Sequence, residues 1–201
     1  METKKEIPDN RSLKRCEWPG EDLIYQHYHD TEWGIPSHND RYLYEMLILE
    51  GAQAGLSWLT ILKRREGYRE VFDYFDWTIN MKYTDEELFE KLKDERIIRN
   101  RLKVFSVRSN AKIFQEIINE FGSFSSYLWA FVDNKPIMNR WKTISEVPAT
   151  SEVSDKLSQD LKKRGFKFAG STICYAYMQA VGLVNDHIVD CFLRTGNKKG
   201  A

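Results

Sequence analysis

Apolar positions recur along most of this chain at helical spacing and almost nowhere at the strict alternation of a strand. Tyr42, Leu43, Met46, Leu47 and Leu49 give one side of a helix running to Glu50, with Asp40 placed to cap it. Ser57 can cap a second helix through Arg65, and Thr84-Asp85-Glu86-Glu87 forms a capping box that opens a helix toward Lys93. A long amphipathic stretch covers Ile97 to Phe121, and a shorter one covers Ser125 to Val132. Asn134-Lys135-Pro136 is a turn and Val147-Pro148 breaks the chain again. Ser151 or Ser154 opens a helix ending near Arg164-Gly165, and a further helix runs from Ser171 to Val181 and stops at Gly182. The fold class this predicts is all-α, without internal repeats.

Composition narrows the class. The chain has 201 residues, 42% hydrophobic and 13% aromatic, enough for one large domain or two small lobes around a real core. Three cysteines are too few for a secreted disulfide framework, Met1 to Arg15 is polar rather than a signal sequence, and no apolar run reaches the roughly 18 residues a membrane span needs. A cytoplasmic protein with no membrane partner is expected. Net charge is +0, which argues against bulk attraction to nucleic acid. Basic residues nevertheless cluster in Lys63-Arg64-Arg65, in Arg96, Arg99, Arg101, Lys103 and Arg108, and in Lys162-Lys163-Arg164 with Lys167. Each cluster is either an interaction face or solvated helix surface.

Three constellations carry candidate chemistry. His187 and Cys191 stand in an H-x3-C pair, which a helical turn would place on one face. With Cys16 and His29 they make a Cys2His2 set suited to closed, tetrahedral zinc; such an ion would be structural and would tie the N-terminal segment to a C-terminal helix. The alternative is two free thiols and two ordinary histidines. Second, the helix ending at Lys162-Lys163-Arg164-Gly165 is followed by Phe166-Lys167-Phe168-Ala169-Gly170 and a new helix. This is either an ordinary αα-hairpin or a helix-hairpin-helix, whose backbone N–H groups receive a DNA phosphate without reading sequence. Third, Trp18, Tyr25, Tyr28 and Trp33 crowd one short segment, and Glu50 precedes the glycine-bearing turn Gly51-Ala52-Gln53-Ala54-Gly55-Leu56-Ser57-Trp58. Stacked aromatics around one carboxylate suit a flat, positively charged ring. A carboxylate beside such a ring is expected to be ionised, which favours recognition over acid catalysis. The same aromatics would serve equally as core. Cys174, mid-helix beside Ile173 and Tyr175, reads as a buried free thiol.

Taken together, Cys16-x-Trp18, Tyr28-His29-Asp30-x-Glu32-Trp33-Gly34, Leu49-Glu50-Gly51-x-Gln53-Ala54-Gly55-Leu56-Ser57-Trp58, Lys162-Lys163-Arg164-Gly165-Phe166-Lys167-Phe168 and Gly182-Leu183-Val184-Asn185-Asp186-His187 resemble the 3-methyladenine DNA glycosylase I family. The resemblance runs from about residue 16 to residue 197. It implies a two-lobed helix-hairpin-helix glycosylase domain over 16–197 with its hairpin near 155–182, between a flexible lead-in at 1–15 and a short tail at 198–201. It implies a monofunctional enzyme that removes 3-methyladenine from alkylated double-stranded DNA, the first step of base excision repair. A monomer with the excised base as ligand and product is expected.

The same resemblance assigns roles to matching positions. Cys16, His29, His187 and Cys191 would bind one structural zinc. Glu50 and Tyr28 would act on the base, with Trp58, Trp18, Tyr25 and Trp33 around it. Gly165, Phe166, Lys167, Phe168, Gly170, Ser171 and Thr172 would hold the DNA backbone. Larger members of the superfamily place an aspartate after the hairpin, where this chain has Asn185, which can serve neither as base nor as charge. No lysine stands between Ala169 and Asn185, so no Schiff base and no strand cleavage are expected. The missing aspartate keeps a second possibility open, a module that binds methylated or damaged DNA without cutting it. A zinc-stabilised protein-interaction domain is a third, supported only by the neutral net charge.

Overall fold

The computed structural model describes residues 13–194, and helices dominate it. Asp22 caps α1 (Leu23–Thr31) by accepting from the backbone N–H groups of Ile24 and Tyr25. Apolar spacing predicts no helix here, because α1 buries only Tyr28 and His29 and has no apolar stripe to show. Next comes α2 (Asp40–Gln53), buried without interruption from Leu43 to Ala52. A helix buried all round is the centre of its fold. Its cap is Asn39 rather than the expected Asp40. The Asp40 carboxylate instead accepts from Phe124 and Ser125 N–H at the start of a later helix, tying the two together.

Ser57 caps α3 (Trp58–Leu62), which ends before the expected Arg65 and hands over to α4 (Arg65–Val71). After α5 (Trp77–Asn80), the Thr84 capping box forms as expected on α6 (Asp85–Lys91). The long amphipathic stretch becomes α7 (Arg101–Phe121), capped by Asn100 and closed by Gly122 in the left-handed region. Ser123, just ahead of the expected start, caps α8 (Phe124–Ala130). Ser151 caps α9 (Glu152–Lys163), and α10 (Ser171–Ala180) follows across a link at 164–170. One short parallel bridge, β1 (Ile137–Met138) against β2 (Val184–Asn185), joins the stretch after α8 to the stretch after α10. The buried side chains form one continuous core, in which α2 meets α10 through Tyr177 OH donating to Leu43 O at 3.1 Å.

Two expectations about the ends need correction. Lys14 and Arg15, placed in the flexible lead-in, are tied down: Phe192 N–H donates to Lys14 O, and Arg15 makes a two-pronged ion pair with Asp30. Residues 1–12 and 195–201, with the rest of the lead-in and the whole tail, lie outside the described residues. Nor does the H-x3-C pair sit on a helix. His187 to Cys191 follow β2 as a turn, because the bridge to β1 holds the chain extended up to Asn185.

Candidate active site and metal centre

The first and last segments of the described chain meet beside α1. Ligand atoms of Cys16, His29 and Cys191 lie within 4.8 Å of one another, all three residues buried, so the group could hold a metal ion. Cys191 Sγ is 3.6 Å from His29 Nε2. His187, the fourth residue of the expected set, is not within that tight group but adjoins it, its ring centroid 4.9 Å from that of His29. Its Nε2 is buried and has no hydrogen-bond partner among the described residues.

The surroundings fit a cation. His29 Nδ1 meets Asp30 Oδ1 at 2.8 Å and His187 Nδ1 meets Asn185 Oδ1 at 3.1 Å. Each imidazole is thus oriented through Nδ1 by an acceptor, leaving Nε2 as the free ligand atom, the arrangement usual around metal-binding histidines. Burial lowers His187 to about 4, so its ring is neutral at neutral pH. Cys191 is lowered to about 4 by the Cys16 thiol donating to it and by His29, while Cys16 is pushed up because its proton is shared with Cys191. The two thiols thus share a proton that a divalent ion would displace, since metal binding takes both as thiolates. Gly34 makes room for His187. A Cβ there would lie 2.8 Å from His187 Cε1, and its φ of +74° is one that side chains resist. Cys174 stays apart, buried, with its thiol near Ala169 O.

Against this centre lies a cavity of about 340 Å³. All six residues expected around a base line it: Trp18, Tyr25, Tyr28, Trp33, Glu50 and Trp58. Trp18 is the hub, with centroids 4.6 Å from Tyr25, 5.1 Å from Trp33 and 6.3 Å from Tyr28, and Tyr28 lies 5.4 Å from Trp58. Trp33 is shared by both centres, since its ring also meets His187 edge-on at 4.6 Å. Three of the lining residues keep a buried polar atom without any partner: Trp18 Nε1, Trp58 Nε1 and Glu50 Oε2. Burial raises Glu50 to about 8. Without a neighbouring positive charge the carboxyl is mostly protonated at neutral pH; the ionised group is the expectation for a carboxyl beside a cationic ring. A bound cation would pull it back toward the carboxylate.

Apart from Thr172, expected at the DNA backbone, the far walls carry no expectation from the sequence. Thr172, Tyr175, Ala176 and Gln179 present one face of α10 to the cavity, and Ile144, Val147, Pro148 and Ala149 close it from the irregular stretch before α9. The α10 residues do repeat at helical spacing; the second wall leaves no periodic signal. Asn185, expected from the sequence to stand at the position of the superfamily aspartate, is absent from the lining and turned toward His187.

At the hairpin, the N–H groups of Gly165, Phe166 and Lys167 are already bonded to Lys162 O, Leu161 O and Asn110 Oδ1. Those of Phe168, Ala169 and Gly170 have no protein acceptor among the described residues, and the first-turn N–H groups of α10 follow directly. Phe168, at φ +57°, packs its side chain onto Gly51, so the hairpin rests on the turn next to Glu50. Of the three basic clusters, Lys63 and Arg65 pair with Asp22, Glu32 and Glu45, and Arg96, Arg99 and Arg108 with Asp94, Glu70, Glu95 and Asp85. Lys103 donates to Ala52 O and Ala54 O. Lys162, Lys163 and Lys167 at the hairpin remain exposed with no ion pair among the described residues.

Residues 18–194 match the methyladenine glycosylase family model. The chain belongs to that family. It is 45% identical over 186 residues to DNA-3-methyladenine glycosylase 1 of Escherichia coli, covering 92% of this chain and 100% of that protein. It is 46% identical over 181 residues to DNA-3-methyladenine glycosylase of Haemophilus influenzae, covering 90% and 98%. Its fold matches a crystal structure of 3-methyladenine DNA glycosylase I at a TM-score of 0.87 and 45% identity, covering 89% of this chain and 98% of that one. A second solved structure, concerned with 3-methyladenine recognition by the Staphylococcus aureus glycosylase, matches at a TM-score of 0.88 and 33% identity, covering 90% and 97%.

Proposed function

We propose that this chain hydrolyses the N-glycosidic bond of 3-methyladenine in alkylated duplex DNA, the first step of base excision repair. The reading rests above all on the cavity: four aromatic rings beside Trp58 and a buried Glu50 whose Oε2 has no partner among the described residues. A carboxyl raised to about 8 by burial is costly to keep unpaired, and a ligand that brings positive charge and N–H donors offsets that cost. Methylation at N3 supplies that charge, so the base leaves neutral and little acid catalysis is needed. As the C1′–N bond breaks, its electron pair stays with the base. Water then bonds to C1′ and gives its extra proton to solvent. What remains for the protein is to hold the flipped nucleotide and select it.

In this reading Glu50 and Tyr28 act on the base, Trp58, Trp18, Tyr25 and Trp33 enclose it, and Gly165 through Thr172 receive the backbone. The free N–H groups from Phe168 onward, rather than those of Gly165 to Lys167, are the phosphate donors, with Lys162, Lys163 and Lys167 adding charge. Thr172 belongs to both sites, since it lines the cavity at the start of α10. One zinc ion is assigned to Cys16, His29, Cys191 and the unpartnered Nε2 of His187. Two thiolates and two imidazoles close such a site, so the ion would hold the two ends of the described chain together and take no part in the chemistry.

Binding of the free base tests the pocket. Tryptophan fluorescence should be quenched by 3-methyladenine, scarcely by adenine, and scarcely by either in Glu50→Gln. Equal quenching by both bases in the natural chain would contradict the assignment.

A further inference from the structure

Asp186 lies outside every motif role given above, yet its carboxylate is fully buried and collects four hydrogen bonds. Asn139 Nδ2 and Trp141 Nε1 reach Oδ1 at 2.7 Å each; Tyr175 OH and Gln179 Nε2 reach Oδ2 at 2.7 Å each. Nitrogen atoms of indole and amide can only donate, so the carboxylate is the acceptor in those contacts. The consequence falls on the two partners that line the cavity. Tyr175 commits its proton to Asp186, and Gln179 must turn its nitrogen there, because the reversed amide would set Oε1 against Oδ2. What each has left is an acceptor: the lone pairs of the Tyr175 hydroxyl, and Gln179 Oε1, which has no protein donor among the described residues. The other two partners lead into the opposite wall, since Asn139 and Trp141 precede Ile144, Val147, Pro148 and Ala149.

We propose that Asp186 is a positioning residue for base excision. It fixes the polarity of the α10 wall, locking Tyr175 and Gln179 as acceptors, and it holds that wall in register with the stretch from Ile144 to Ala149. Together with Glu50 the pocket then offers acceptors to positive charge, which sits on the methylated base before cleavage and passes to the sugar during it. The inference rests on the glycosylase reading of the cavity and adds to it a group that never touches the substrate.

Asp186→Asn adds a third amide to those of Asn139 and Gln179 in a cluster of donors, and frees Gln179 to flip and Tyr175 to turn. Single-turnover release of 3-methyladenine from methylated duplex should slow about tenfold or more, as expected when one or two well-placed hydrogen bonds are removed. Duplex affinity, metal content and melting temperature are read on the same preparation, and affinity should stay within about twofold, since the hairpin is untouched. Tyr175→Phe and Gln179→Met, which leave Asp186 in place, should each slow release several-fold with duplex affinity unchanged. Natural rates in both single variants would overturn the proposal. So would an Asp186→Asn chain in which affinity, metal and rate fall in parallel, which marks a merely structural residue. Failure of the natural chain itself to release the base would instead overturn the reading of the cavity.

Discussion

Glu50 makes the protein less stable than it could be, and the size of that cost follows from its surroundings. Burial raises its carboxyl from 4.5 to about 8. Below pH 4.5 both folded and unfolded chains hold the proton, and the group contributes nothing. Between pH 4.5 and 8 the unfolded chain has released the proton while the folded chain keeps it, so stability falls by about 1.4 kcal/mol per pH unit. Above 8 both have released it and the penalty is constant. At pH 7 the cost is about 3 kcal/mol. Glu50→Gln keeps shape and polarity without the titration, so the variant should melt about 6–12 °C higher than the natural chain at pH 7, and near the same temperature at about pH 4.5. Calorimetry of both proteins across that range is the assay. A difference that stays flat from pH 4.5 to 8 would rule out desolvation of the carboxylate as its cause, because a packing effect has no such pH dependence. The stabilised variant should also lose most base excision, a trade of function against stability common at active sites.

Stripping the metal with a chelator should cost at least about 4 kcal/mol, seen as a melting temperature lower by roughly 8–16 °C, because a closed site couples metal binding to folding; unchanged melting would count against a structural ion. Gly34→Ala should reduce metal affinity and destabilise by about 1–3 kcal/mol, as the new Cβ meets His187 Cε1 at 2.8 Å; full metal content at natural stability would contradict this. Replacing Lys162, Lys163 and Lys167 with alanine should lower the slope of log affinity for duplex DNA against log salt by about 0.9 for each phosphate no longer neutralised. Borohydride should trap no covalent adduct with DNA, since residues 169–185 hold no lysine; a trapped adduct would reveal an amine nucleophile elsewhere.

Much of the helical framework could be read from local chemistry. The capping box at Thr84 and the caps at Ser57 and Ser151 act within one turn, so a few residues suffice to announce them. The six sequence-predicted residues of the cavity wall were readable for a related reason: Trp18 to Trp33 lie close together, and Glu50 and Trp58 flank one short turn. What stayed hidden depends on distant parts of the chain. α1 has too little apolar surface to show a stripe. The basic cluster around α7 is quenched by Glu70 and Asp85, acids from separate elements. Asp186 gains its meaning from Asn139 and Trp141, 47 and 45 positions away. The H-x3-C spacing implied a helix, yet the bridge at Val184–Asn185 imposed an extended entry, and His187 and Cys191 approach Cys16 and His29 from a turn instead.

Release of free base from methylated duplex DNA, with zinc quantified on the same preparation, separates an enzyme from a binder in one experiment. Selective release of 3-methyladenine with one zinc per chain is the predicted result. A folded, zinc-loaded chain that binds the duplex and releases no base would contradict it, and would leave a protein that recognises methylated DNA without cutting the glycosidic bond.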